Sequence, residues 1–106
     1  MINIYLDDER PTPEGWLRAN NVSECISLLT EHRDNVEILS LDWYLGWDAP
    51  HGDEVLTWLE AQFEAGYSIP KFIYVHTASA EHSRLMRFRA NALRRAHRAK
   101  HEVNHE

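Results

Sequence analysis

The stretch INIYLDDER, residues 2–10, decides the fold. An apolar run, Ile2 to Leu6, stops at Asp7, Asp8 and Glu9. Such a short run reads as a buried strand that ends in a charged loop. The pattern returns twice. Val36 to Leu41 ends in Asp42, and Phe72 to Val75, after Pro70, ends in His76 and Thr77. Near-continuous apolar strands belong to parallel sheets whose faces are covered.

Helical periodicity fills the intervals. Asn21 and Glu24 have the spacing of a capping box. Val22, Cys25, Ile26 and Leu29 then recur at helical spacing, predicting a helix to about Arg33. Val55, Leu56, Leu59 and Phe63 form a second stripe, with Gly66 as its stop. Ser79 is placed to cap a last helix, with Leu85, Phe88, Ala92 and Ala96 expected on its buried side. Between Arg10 and Asn20, Pro11, Pro13 and Gly15 forbid a regular helix, so this is a loop. Trp16 to Ala19 reads as a very short edge strand. Tyr44 to Gly52, with Gly46 and Pro50, is another loop. Strands alternating with helices predict an α/β three-layer domain with right-handed crossovers. Its sheet is mainly parallel, with three long strands and one short edge strand.

The chain of 106 residues has the length of one domain, and a hydrophobic share of 43% supplies a real core. The expectation is a single domain over 1–106, with 97–106 as a frayed His-rich tail. No apolar run approaches the roughly 20 residues that cross a bilayer. The first ten residues lack the early positive charge of a secretory signal. The single Cys25 allows no internal disulfide and no thiolate metal cluster. A cytoplasmic setting fits these features. The net charge of −6 is uneven. Residues 1–83 hold 15 Asp and Glu against 4 Lys and Arg, and residues 84–106 hold 7 Lys and Arg against 2 Glu. An acidic body repels nucleic acid except where cations or the basic segment intervene.

In an open α/β sheet, ligands bind in the crevice outside the carboxyl ends of the strands. Asp7, Asp8, Glu9, Asp42, His76 and Thr77 all fall at such ends. Carboxylates that close raise one another's pKa unless a cation neutralises them. Mg²⁺ is the expected cation, because it prefers hard oxygen ligands and keeps waters that a phosphate can displace. The Thr77 hydroxyl suits a phosphoryl oxygen.

The acidic pair after the first strand, the Asp after a central strand and the Thr after the next resemble a response-regulator receiver domain, a flavodoxin-like fold. YLDDERPTPEGW (5–16), LSLD (39–42), Leu45-Gly46 and VHTA (75–78) resemble, more closely, the cyclic-phosphate processing receiver-like family, over about residues 2 to 92. That resemblance implies Asp7, Asp8 and Asp42 as the metal-holding pocket, flanked by Glu9 and Arg10 and faced by His76 and Thr77. It implies a metal-dependent phosphoesterase acting on a cyclic phosphate of a nucleotide or RNA end, with Asp42, His76 and Thr77 as its catalytic groups and His76 shuttling the proton. The family has a His and an Asp where this chain has Trp43 and Tyr44, and no Lys follows a strand at the receiver position. Binding of a phosphate ligand survives these exchanges better than turnover does. Two alternatives follow: a binding, sequestering derivative without turnover, and a phosphoacceptor receiver that takes a phosphoryl group on Asp42.

Trp43, Tyr44 and Trp47 crowd one loop, either packed over the following helix or as a shelf on which a base stacks. Asp48 and His51 share that loop and are candidates for the pocket. Arg84 starts a basic run on the last helix and lies within expected reach of the phosphate; the later arginines suit RNA, an acidic protein partner, or the acidic body of a second copy in a homodimer. His97, His101 and His105 are spaced four apart, a chelating spacing that also fits a solvated tail. Cys25, on an apolar face, reads as an inert core residue.

Overall fold

Each apolar run of the sequence is a strand. A computed structural model describes residues 1–104, with side-chain surroundings through residue 101. The elements are β1 (Ile2–Leu6), β2 (Leu17–Ala19), α1 (Val22–Glu31), β3 (Val36–Leu41), α2 (Asp53–Glu64), β4 (Phe72–Val75) and α3 (Ala80–Asn104). The four strands form one sheet in the order β2-β1-β3-β4, and every pairing is parallel. This is the α/β receiver-like class that the sequence implies.

The helix starts follow local chemistry. Asn21 caps α1, its Oδ1 accepting from the Glu24 amide at 2.8 Å. Glu24 reaches back to the Asn20 amide at 2.9 Å, one residue earlier than a capping box requires. Helix α1 ends at Glu31, two residues before the expected Arg33. Helix α3 runs on through residues 97–104, where a frayed tail was expected. His105 and Glu106 lie outside the described residues.

The distribution of the helices departs from expectation. Both crossovers, β2 to α1 to β3 and β3 to α2 to β4, advance in the same direction across the sheet. With right-handed connections they place α1 and α2 on the same face. Helix α2 packs against both α1 and α3, so α3 joins that side. The helix-covered face carries Ile4, Leu6, Leu39, Leu41, Ile73 and Val75, all buried. The opposite face carries Asn3, Tyr5, Ile38, Phe72 and Tyr74, half-buried or exposed, together with the buried Ser40. Among the described residues no helix covers it, so the expected third layer is missing. The physical reason is the loop at residues 7–16: its prolines join β1 to β2 without the helix that would lie there.

The buried side of α3 also needs correction. It is Ser83, Met86, Ala90 and Leu93. Leu85 and Phe88 are 58% and 69% exposed, and Ala92 and Ala96 face solvent with them. Small side chains at Ser83 and Ala90 let α3 lie close to β4 and α2, and that close approach outweighs the bulk of Leu85 and Phe88. Arg89 locks the contact, donating to Glu60 Oε1 at 2.7 Å and Thr57 Oγ1 at 2.9 Å. Cys25 is wholly buried, and burial pushes its thiol up to about 12, which leaves it inert.

This assignment of the α3 face has a direct check. Met86→Ala is expected to cost about 2–5 kcal/mol in urea unfolding, as for a buried Met. Phe88→Ala is expected to stay within about 0.5 kcal/mol of the parent. The reverse ranking would return the buried face to Phe88.

Candidate functional site

The hydrogen-bond ladder that builds the sheet continues past the strand ends and positions the site. The Asp7 amide donates to the Ala19 carbonyl at 3.0 Å, the Asp42 amide to Leu6 at 3.1 Å and the His76 amide to Leu41 at 2.9 Å. Asp7, Asp42 and His76 therefore occupy successive positions on adjacent strands. Ligand oxygens of Asp7, Asp8 and Asp42 all lie within 4.8 Å of one another. Above them opens a cleft of about 300 Å³, lined by Asp8, Glu9, Arg10, Asp42, Trp43, Tyr44, Thr77 and Ser79 among others.

The three carboxylates are not equivalent. Asp7 is fully buried, and all four of its acceptor positions are used. Its Oδ1 accepts from the amides of Glu9 at 2.8 Å and Arg10 at 2.9 Å. Its Oδ2 accepts from the Arg10 guanidinium at 2.8 Å and faces His76 Nε2 at 3.0 Å. Burial alone would raise its pKa, but these bonds outweigh it and hold the carboxyl below its ordinary value. Asp42 accepts from the Trp43 amide through Oδ1 at 2.8 Å, and its Oδ2 lies 3.4 Å from Arg10. Arg10 therefore bridges Asp7 and Asp42 as an internal counter-ion. Asp8 is half-buried and, among the described residues, keeps free lone pairs toward the cleft.

The donor set fits a hard divalent cation: three clustered carboxylates beside a hydroxyl. The cluster could bind a metal as receiver domains do. Asp8 and Asp42 have the capacity for it. Asp7 would ligate only if Arg10 or His76 released it.

His76 does not face the cleft as expected. Its ring stacks on Tyr5 with centroids 4.3 Å apart, Nδ1 meets Ser40 Oγ at 2.7 Å, and Nε2 is engaged by Asp7. Burial depresses its pKa, against the pull of Asp7 toward the charged form. The imidazole is thus neutral at pH 7, Nε2 donating to Asp7 and Nδ1 accepting from Ser40. It positions Asp7. Ser40 and Tyr5 were not singled out in the sequence, although their register opposite each other on the first and third strands would have marked them.

Trp43 lines the cleft by its edge. Its two faces are taken by His51 at 4.0 Å and His82 at 3.5 Å, both nearly parallel to it. It has no free face for a base, so the expected shelf is not formed by Trp43. His51 is spent on that stack. Tyr44, 48% exposed, keeps its ring available at the cleft. Asp48 and Arg84 are exposed and lie outside the cleft lining. Asp48 instead takes a positive φ of 61°, which Asp tolerates in a tight loop.

Two glycines matter to the site. A Cβ on Gly46, where φ is 115°, would touch Asp8 Oδ2 at 3.5 Å. A Cβ on Gly52 would lie 1.7 Å from the Asp42 carbonyl oxygen. Gly52 also donates its amide to the Trp43 carbonyl at 2.8 Å, closing the loop onto Asp42. Gly52 was read only as a loop residue; its role as the wall behind Asp42 has no local sequence signal.

Gly52→Ala is therefore expected to shift the Asp42 backbone and cost about 1–3 kcal/mol. Metal or phosphate affinity should fall with it, measured by calorimetric titration of the folded variant. The pH dependence has a definite sign. His76 is depressed from 6.5 on folding, so its contribution is complete above pH 6.5 and is lost as pH falls through the lower folded value. Asp7 is depressed from 3.8, so its contribution is lost only at more acid pH. Urea midpoints should decline below pH 6.5 and again below pH 4, and His76→Gln should reduce the first decline, leaving the share of His97, which burial also depresses.

Searches of curated proteins and of solved structures find no match for this chain. A family model does: that of the cyclic-phosphate processing receiver domain matches residues 2–92, from the first residue of β1 into α3. That span holds the acidic cluster, the Arg10 bridge, the His76 support and every cleft-lining residue, and the chain belongs to the cyclic-phosphate processing receiver domain family.

Proposed function

We propose that the cleft binds a phosphate monoester or cyclic phosphodiester and, with Mg²⁺, processes it. The observation that carries this reading is the cluster of Asp7, Asp8 and Asp42 within 4.8 Å at the floor of a cleft that also offers Arg10, Thr77 and Ser79. Carboxylates alone repel a phosphate, and with a cation between them they attract it. When bound, Mg²⁺ on Asp8 and Asp42 would polarise a phosphoryl oxygen and orient a water. The chain's own groups do the rest. Arg10, 42% exposed at its side chain, turns from Asp42 to the phosphate oxygens once a metal neutralises that carboxylate. The Thr77 hydroxyl donates to another oxygen. Asp8 is placed to accept the proton of the attacking water as its oxygen bonds to phosphorus, and to return that proton to the ribose oxygen that leaves when the cyclic P–O bond breaks. Asp7, saturated by its four partners, holds Arg10 in range.

One observation favours a second reading, binding without turnover. The one imidazole at a strand end, His76, has both nitrogens engaged and lies outside the cleft lining. Trp43 and Tyr44 replace polar groups next to Asp42. A phosphoacceptor role ranks behind both, because no lysine lines the cleft.

The experiment is incubation of the protein with 2′,3′-cyclic and 3′,5′-cyclic nucleotides, with and without Mg²⁺, followed by chromatography. The expected outcome is metal-dependent ring opening of a cyclic nucleotide. Asp8→Asn and Asp42→Asn should each slow it by about two orders of magnitude, the loss of several kcal/mol of charge stabilisation. Ligand that binds and is recovered unchanged at high protein concentration would establish the second reading instead.

A further inference from the structure

A second groove, of about 290 Å³, runs along the outer edge of β4 and has no part in the cleft. One wall is Phe72 and Tyr74; the other is Asn91, Arg94, Arg95 and Arg98 of α3. Phe72 and Tyr74 lie two residues apart on the open face of the sheet. Their rings are parallel to within 4°, with centroids 6.2 Å apart. They are 42% and 52% exposed. The Arg94 guanidinium reaches over the strand edge to 5.5 Å from the Phe72 centroid. Arg87 and Arg94 also donate to the Val75 and Pro70 carbonyls, at 3.2 Å and a long 3.5 Å, and so cap the open edge.

The charge of the groove is one-sided. Between His82 and His101 the chain has seven Arg and Lys and no Asp or Glu. Of these, Arg89 is paired with Glu60, while among the described residues no carboxylate lines the groove. Burial and the neighbouring Arg98 both weaken the hold of Arg94 on its proton. An acidic protein thus keeps a cationic row along the groove, without a carboxylate partner among the described residues, beside two exposed parallel rings.

The combination selects its occupant. An acidic peptide would satisfy the arginines and leave the rings unused. A second copy meeting this face by two-fold symmetry would set arginine against arginine. Single-stranded nucleic acid carries both complements, flat bases for the rings and phosphates for the guanidiniums. Strand β4 joins the two sites, leading from Phe72 to Thr77 at the cleft over a rise of about 16 Å.

We propose that this groove holds the single strand of an RNA just upstream of its 3′ end, whose terminal phosphate enters the acidic cleft. The proposal rests on the phosphate reading of that cleft and names its substrate as an RNA end in preference to a free nucleotide.

The test is fluorescence anisotropy with a 5′-labelled oligoribonucleotide of about ten nucleotides bearing a 2′,3′-cyclic phosphate. A cyclic mononucleotide is titrated in parallel. The double variant Arg95→Glu/Arg98→Glu should weaken oligonucleotide binding at least about tenfold and reduce the slope of log affinity against log salt by about one to two. Tyr74→Ser should weaken it about fivefold or more. Both variants should leave mononucleotide binding unchanged; the altered side chains are exposed, and circular dichroism verifies their fold. The proposal is overturned if the oligonucleotide binds no tighter than the mononucleotide, or if the variants leave its affinity intact. Displacement of the RNA by decaglutamate at equal concentration also overturns it, as does a wild-type dimer in sedimentation that the variants disperse. The two readings separate cleanly. Groove-dependent RNA binding with no Mg²⁺-dependent change at the end upholds the groove and defeats Mg²⁺-dependent processing in favour of binding without turnover. Processing of mononucleotides without groove-dependent RNA binding does the reverse.

Discussion

A carboxylate with no exposure to water has to be paired, and the rest of the site is arranged around Asp7. Removing an ionised group from water costs several kcal/mol unless hydrogen bonds and opposite charge replace the lost hydration. Asp7 obtains them from three places: the amides of its own loop, the Arg10 side chain and His76 from β4. Each partner is itself held. Arg18 on β2 donates to the Arg10 carbonyl at 2.6 Å and to Thr12 Oγ1 at 2.9 Å, which fixes the proline-rich loop. Ser40 and Tyr5 hold His76 from one side and beneath. One buried charge thus ties the ends of three strands to the loop at residues 7–16.

Saturation of Asp7 sorts the roles of the others. A carboxylate with every lone pair engaged cannot also be a ready metal ligand, which moves the ligand work to Asp8 and Asp42. Arg10 is then both a counter-ion and a competitor. It sits 3.4 Å from Asp42 in this structure; under the proposed function, a metal on Asp42 would free it for a phosphate oxygen. On that proposal the same guanidinium would serve the empty and the loaded site without leaving a charge uncompensated in either. Gly46 and Gly52 give this exchange its space, by letting one loop approach Asp8 and Asp42 more closely than a side chain would permit.

Much of this was legible in the sequence. Short apolar runs that end in acids announced parallel strands and collected Asp7, Asp8, Asp42 and Thr77 at one edge. What failed to show was whatever depends on the direction of a side chain across elements. His76 carries the residue type of a proton shuttle, but the register that sets it over Tyr5 and beside Ser40 aims it at Asp7. Trp43 has the composition of a stacking shelf, but imidazoles from two different elements close its faces. On α3, hydrophobic bulk pointed to Leu85 and Phe88, whereas close packing favoured the stripe of Ser83, Met86, Ala90 and Leu93. Periodicity locates a helix well; choosing between adjacent stripes needs the shape of the surface it meets.

The uncovered sheet face follows from the same loop that serves Asp7. A connection of residues 7–16 delivers backbone amides and Arg10 to the buried carboxylate, and it does so without a helix that would have covered the sheet on that side. The exposed face is built for that condition. Apart from Ile38, its side chains are aromatic or polar where a covered face would be aliphatic: Asn3, Tyr5, Ser40, Phe72 and Tyr74. Asn3 also accepts from the Ile38 amide at 3.2 Å, beside an irregularity in the β1–β3 register, satisfying a donor that the ladder leaves over. Aromatic rings keep their faces usable in water at less cost than aliphatic side chains of equal area would, since the ring faces also attract cations such as Arg94. The loop thus sets two surfaces at once, an acidic cleft at the strand ends and an aromatic face beside basic α3.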